Sequence, residues 1–184
     1  RTFDLEGILM YAPPDHLRFT LKHDLGGDQL IVGANDSQYW FHDLTAGEPP
    51  KVRSLDHLVN GRDSDFPVQP RQIIEAIGLS PLPDGAELHP MRRPVQRVES
   101  EDQQLLFLEY DDSGAPRLEK EYWLARSDPR LVRRIVFRDA VGRVEMESQL
   151  SEHQPLGDIG PLVPFHITVD WPLEGSRIEF SVSK

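Results

Sequence analysis

The sequence predicts a mainly β fold of α+β type: a strongly curved antiparallel half-barrel with a few helices on its concave face. Three observations predict it. Apolar and polar residues alternate with period two from one end of the chain to the other, the pattern of strands with one buried face. Short polar turns separate the alternating runs, as hairpins require. Helical spacing is confined to the middle of the chain.

Residues 3–11 open the series, followed by Leu17, Phe19 and Leu21 alternating with Arg18, Thr20 and Lys22. Residues 29–33 and 38–42 are the next strand candidates. The turns Leu25-Gly26-Gly27-Asp28 and Ala34-Asn35-Asp36-Ser37 join them, and such residues favour tight connections. A short helix is expected from a Ser54 cap through Leu55, Leu58 and Val59 to Gly61. A stronger one starts at Pro70, a residue suited to the first helical position. It carries Ile73, Ile74 and Ile77 at helical spacing and stops at Gly78.

Residues 79–94 hold Pro81, Pro83, Pro90 and Pro94 and read as an extended connection. Strands follow at 95–99, 104–110, 118–126 and 132–138. Turns at Asp111-Asp112-Ser113-Gly114 and Asp139-Ala140-Val141-Gly142 make a meander of them. The last three strands alternate most regularly. Their apolar members are Val144, Met146 and Leu150 (with Ser148 in the same set), then Phe165, Ile167, Val169 and Trp171, then Ile178, Phe180 and Val182.

The chain has 184 residues, which suits one domain over 1–184. Lys plus Arg is 20 and Asp plus Glu is 31, a net charge of −11. That balance argues against nucleic acid as a partner and against docking on an anionic membrane face. With no cysteine, disulfides, thiolate metal sites and cysteine nucleophiles are excluded. No apolar run approaches the roughly 20 residues that span a bilayer. The chain opens on Arg1 inside an apolar alternation, which reads as the remainder of a longer precursor.

Motifs for chemistry are missing. The seven histidines show no short paired spacing such as HExxH, and there is no GxSxG elbow, phosphate loop or GxGxxG. No catalysis, no cofactor and no metal are therefore expected. Asn35-Asp36-Ser37 matches a glycosylation sequon of a kind that arises often by chance. Tyr39-Trp40-Phe41 puts three rings in one strand, so at least one points to each side.

The order of these elements resembles the bacterial outer-membrane lipoprotein carrier and lipoprotein-sorting family, with its LolA/LolB-like fold. Gly7-Ile8-Leu9-Met10-Tyr11, the Pro13-Pro14 turn, Leu17-Arg18-Phe19 and the aromatic strand from Asn35 to Asp43 match the family's opening. Arg134 to Asp139, Val144-Glu145-Met146 and Pro164 to Pro172 match its later strands. Pro13 stands where the family's carriers have an arginine, and the family's amphipathic first helix has no counterpart after Arg1.

The resemblance implies a single LolA/LolB-like lipid-binding domain over 1–184, without the upstream helix and targeting segment. It implies a non-enzymatic envelope protein of the bacterial periplasm, with lipid anchoring through an upstream segment as one form. Its partner would be an acyl chain, lipid or lipoprotein held in an apolar half-barrel, and envelope proteins are further expected partners. The wall of that space would combine the apolar strand members with the helix. It comprises Leu17, Phe19, Leu21, Ile73, Ile74, Ile77, Val144, Met146, Phe165, Ile167, Val169, Ile178 and Phe180. The alternative is a half-barrel filled by its own side chains and acting as a protein-interaction or assembly module. A hydrolase using some of the many carboxylates is a third reading.

Overall fold

The computed structural model describes residues 6–12, 16–23, 26–54, 70–79, 89–94, 102–110, 113–158 and 160–182. The chain divides into two compact units, 1–75 and 76–184. Every described strand pairing is antiparallel, and neither main sheet closes into a barrel.

The first unit is a five-stranded meander: β1 (Glu6–Ala12), β2 (His16–His23), β3 (Gly26–Ala34), β4 (Gln38–Asp43) and β5 (Lys51–Ser54), in that spatial order. Its turns follow from the residues in them. Asn35 Oδ1 accepts from the Ser37 and Gln38 N–H groups at 3.0 and 2.9 Å, and Asn35 N–H donates to the Gln38 carbonyl at 2.9 Å. The sequon asparagine is thus a turn former between β3 and β4. After β4, Asp43 Oδ1 accepts from Thr45 N–H at 2.8 Å and from its hydroxyl at 2.6 Å.

Register sorts the side chains of this sheet, because directly paired residues share a face. Leu17 pairs with Ala34 and Ala34 with Tyr39; Phe19 pairs with Val32 and Val32 with Phe41. Leu17, Val32, Ala34 and Tyr39 are buried there. Trp40 lies on the opposite face, directly across from Gly33. A Cβ at Gly33 would fall 2.2 Å from the indole, so the ring lies flat on the glycine and no larger residue fits beneath it.

The helix α1 spans Pro70–Ala76. Gly78 follows with φ of 74°, the left-handed conformation that ends helices and that glycine adopts without strain. Both ends agree with the sequence pattern. The expected helix at 54–61 falls outside the described residues except for Ser54, which closes β5.

The second unit is a seven-stranded sheet. Its strands are β6 (His89–Pro94), β7 (Asp102–Tyr110), β8 (Pro116–Ala125), β9 (Val132–Arg138), β10 (Val144–Ser151), β13 (His166–Trp171) and β14 (Ser176–Ser181), and its order is β14-β13-β10-β9-β8-β7-β6. A two-stranded ribbon, β11 (Gln154–Pro155) with β12 (Leu162–Val163), lies in the β10–β13 connection; the sequence pattern did not announce it. The expected strand at 95–99 lies outside the described residues.

One reading needs correction. Residues 89–94, expected as extended connection, form β6 and pair with β7 from His89–Leu108 to Pro94–Gln103. Two prolines are admissible because β6 is an edge strand. Pro90 and Pro94 have the same parity, so both missing N–H groups fall on one side of the strand, and that side must be the unpaired one.

The turn from β9 to β10 is held by Asp139. Its Oδ1 accepts from the Val141 and Arg143 N–H groups at 3.0 and 2.9 Å, and its Oδ2 accepts from Arg143 Nε at 2.8 Å. Burial pushes this carboxyl up, but the Arg143 and Val141 hydrogen bonds outweigh it and hold the group below its ordinary value of 3.8. A lowered carboxyl contributes stability above its unfolded value and loses it as pH falls through the folded one. The denaturant midpoint of the wild type should therefore carry a component that disappears below about pH 3.8. Asp139→Asn should lack that component while keeping the rest of the acid transition. Parallel urea titrations between pH 2 and 7 measure the difference.

Ile77, immediately after α1, is 4% exposed. Ile77→Asp would place an unpaired carboxylate in an apolar contact and should lower stability by about 3–4 kcal/mol. An unchanged urea midpoint would show that this segment does not pack.

Candidate apolar binding face

The two faces of the seven-stranded sheet differ in chemistry. Register places Tyr122, Ile135, Ser148, Val169 and Ile178 in one row, one residue from each of five adjacent strands. Leu105 extends that row onto β7, and the flanking rows hold Phe107, Lys120, Phe137 and Met146, and Leu150, Ile167 and Phe180 on the same face, with the buried Lys120 ammonium over the Phe137 ring. This is the apolar face. Phe107, Tyr122, Ile135, Met146, Leu150, Ile167 and Val169 are all buried on it, and the Phe107 and Tyr122 rings meet edge to face at 5.2 Å.

The opposite face is a belt of ion pairs. Arg138 Nε donates to Glu121 at 2.7 Å, its Nη2 reaches the same oxygen, and Gln104 donates to the other oxygen. Arg134 bonds Glu147 at 2.7 Å and lies over the Trp123 ring at 5.3 Å. Arg177 approaches Asp170 at 3.8 Å. Glu147 and Asp170 are direct cross-strand partners, a like-charge pairing that would destabilise the sheet alone. Arg134 and Arg177 neutralise it from either side. An open groove of about 420 Å³ lies at this end, lined by Glu147, Asp170, Trp171, Pro172, Gly175, Ser176 and Arg177. Its charged lining does not suit an acyl chain.

Ser148, at the centre of this face, is fully buried. Its hydroxyl donates to the carbonyl of Ala76, the last residue of α1. The final carbonyls of a helix lack partners within it, and this bond supplies one. A Cβ on Gly78 would come within 2.8 Å of Leu150 and 4.0 Å of Pro164. The segment from Ala76 to Gly78 thus lies directly on β10.

The expected wall residues fall into three groups. Met146, Ile167, Val169, Ile178 and Phe180 share the apolar face of the seven-stranded sheet by register, and Phe165 continues the same parity at the start of β13, 7% exposed. Leu17, Phe19 and Leu21 lie together on the five-stranded sheet, the first buried and the others half-buried. Ile73 is half-buried and Ile74 buried on α1, and Ile77 is buried just beyond it.

Val144 departs from the set. The register shifts between Val144 and Met146, so that Met146 pairs with Phe137 but Val144 with Arg138. A β-bulge adds one residue and inverts the alternation beyond it. Val144 therefore sits on the charged face, half-buried. The periodic pattern could not show this, because Val144 keeps the spacing of the apolar set. Missed residues include Ile135, Tyr122 and Phe107, which come from strands apolar on both faces, where alternation gives no side.

Among the described residues, no three His, Asp or Glu side chains group closely enough to hold a metal ion. No described helix is long and apolar enough to cross a membrane.

Among solved structures, a domain from Vibrio parahaemolyticus with a provisional assignment as an outer membrane lipoprotein-sorting protein superposes on 98% of this chain and 75% of its own. The TM-score is 0.59 at 10% identity. The chain shares its fold with that domain. A DUF1329 family protein from Desulfovibrio piger superposes over 97% of the chain and 74% of its own, with a TM-score of 0.55 and 15% identity. A LolA superfamily protein from Nitrosomonas europaea aligns over 94% and 79% at 12% identity with a TM-score of 0.46, and the fold assignment does not lean on it. No family model and no curated protein matches the sequence.

The Ser148 hydroxyl holds the helix end on the sheet. Ser148→Ala leaves the Ala76 carbonyl buried without that donor and should cost about 1–2 kcal/mol. The check is equilibrium urea unfolding. A loss below about 0.3 kcal/mol would mean that the carbonyl finds another partner.

Proposed function

We propose that this protein is a non-enzymatic component of the bacterial cell envelope that binds an acyl chain of a lipid or lipoprotein against its apolar sheet face. The observation that carries the proposal is that largely apolar face, which runs by register from β7 to β14 with Lys120 and Ser148 as its buried polar residues, on a fold shared with a lipoprotein-sorting domain. The mechanism is burial. Each methylene taken from water contributes about 0.8 kcal/mol, so a fatty tail supplies affinity without polar contacts. Catalytic groups play no part, and the envelope location follows from the same resemblance.

Entry lies at the β14 margin. Ile178 is 41% exposed and Phe180 half-buried, whereas Val169 and Ile167, their partners on β13, are buried. The wall is thus covered at its centre and open along one edge, and a chain entering there meets Ile178 first.

A second reading has its own observation. Ile135, Met146, Ser148 and Val169 are at most 3% exposed to solvent, as in a face filled by the protein itself. On that reading the function lies in surface contacts and the protein is an assembly module.

A fluorescent fatty-acid probe separates the two. The carrier reading expects saturable, roughly stoichiometric binding by the wild type and at least about tenfold weaker binding by Ile178→Asp, which places a charge in the entrance. Ile178 is exposed enough for the variant to fold, and circular dichroism checks that it does. Absence of probe binding, together with no co-purifying lipid in native mass spectrometry of detergent-free protein, would leave the filled reading.

A further inference from the structure

Strand β4 presents its three rings to two different sides. Tyr39 and Phe41 belong to the buried face of the five-stranded sheet, and Trp40 to the other. On that other face, register runs Met10–Arg18–Gly33–Trp40–Val52, one residue from each of the five strands. The neighbouring row runs Ile8–Thr20–Ile31–His42. Met10 is 61% exposed, Ile8 50% and Val52 44%. Arg18 is exposed and has no partner among the described residues. The exposed apolar residues thus flank a middle in which Trp40 and Ile31 are half-buried and Thr20 is buried, and exposed apolar surface of this kind marks an interaction surface.

We propose that a second copy of this chain covers this face, in a symmetric dimer whose two-fold axis runs parallel to β3. Rotation about such an axis reverses the strand order and keeps each residue's height along its strand. β1 then lies over β5 of the second copy, β2 over β4, and β3 over β3. The first row maps onto its own reverse. Met10 meets Val52 of the second copy, Arg18 meets Trp40, and the two indoles, each lying over its own Gly33, come together near the axis. In the second row Ile31 meets Ile31 and Thr20 meets His42.

The row is complementary to itself in chemistry as well as in position. An arginine over an indole is the favoured cation–π pair, and each two-fold contact occurs twice. The rotation keeps the two Arg18 side chains apart and gives each a ring. Trp40 lies flat on Gly33 and so offers a broad surface. Two sheets stacked this way adopt the aligned packing of β-sandwiches.

Size fits a weak dimer. β5 has four residues and β4 six, so the overlap across the axis, at ~4.8 Å between strands and ~3.3 Å per residue, is roughly 430 Å² per copy. The total, roughly 860 Å², is that of a weak, transient contact. Dissociation is therefore expected on the order of 10 µM or weaker. The inference is independent of lipid binding on the other sheet.

The natural sequence has no cysteine, which makes cross-linking clean. Met10→Cys and Val52→Cys, each prepared alone and then mixed, should give a cross-linked dimer with a short bis-maleimide only in the mixture. Analytical ultracentrifugation should show reversible dimerisation of the wild type. Arg18→Glu should weaken it at least about tenfold and Arg18→Lys less, with circular dichroism unchanged in both. A wild type that stays monomeric at about 1 mM overturns the proposal. So does a dimer indifferent to Arg18→Glu, or one in which either cysteine variant cross-links as well alone as in the mixture. Flotation with phosphatidylethanolamine–phosphatidylglycerol vesicles by a monomeric protein, lost in Arg18→Glu, would assign the face to lipid instead.

Discussion

Strand β10 is the constraint on which the 76–184 unit depends. It lies between β9 and β13 and receives the end of α1 on its apolar side. Met146, Ser148 and Leu150 on that side are at most 3% exposed. Their neighbours carry Glu147, which is tied to Arg134 on the other side. A slip of one residue would turn Met146 and Leu150 into the ion-pair belt and Glu147 into the apolar face. Two penalties of opposite chemistry therefore hold one register. The strands paired outward from β10 inherit it.

Ser148 adds directional content to what would otherwise be non-directional burial. Apolar contacts tolerate sliding, because one methylene is much like another. A buried hydroxyl donating to the Ala76 carbonyl accepts only one position of the helix end. Gly78 beside Leu150 allows the chain to approach that closely.

How much of this was legible in the sequence depends on the residue pattern of each strand. The antiparallel class, the turns after Ala34 and Asp139 and the α1 limits were readable, since alternation, Asn/Asp/Gly turns and the Pro70-to-Gly78 bracket are local signals, whereas Gly26 and Asp28, expected in a turn, belong to β3 and pair with β2. The apolar side of β13 was readable for the same reason. What escaped were features set by neighbours. Val144 keeps the right spacing but crosses faces because a bulge intervenes. β6 holds prolines that only an edge position tolerates. Phe107, Tyr122 and Ile135 belong to strands with apolar residues on both faces, where the period-two signal vanishes. The division of the strands into a five-stranded and a seven-stranded sheet was equally invisible, because a run of strands does not say which hairpin ends a ladder.

The contrast between the two sheets follows from how each covers its second face. The seven-stranded sheet uses charge: Glu121 at 4% exposure is held by Arg138 and Gln104, and the Arg134–Glu147 pair lies beside Trp123. The charges of such a face are paired within its own strands, although Trp123 Nε1 and Arg134 Nε are buried without hydrogen-bond partners, and each ion pair already has its counter-charge. Among the described residues the five-stranded sheet has no equivalent belt at its middle. There Met10, Val52 and Ile8 meet water around an arginine with no described counter-charge. Apolar surface and a lone cation can both be improved by covering, the first by removal from water and the second by a ring or an anion. The polar face of one sheet thus closes the chemistry available there, and the incompletely satisfied face of the other is where association has something to gain.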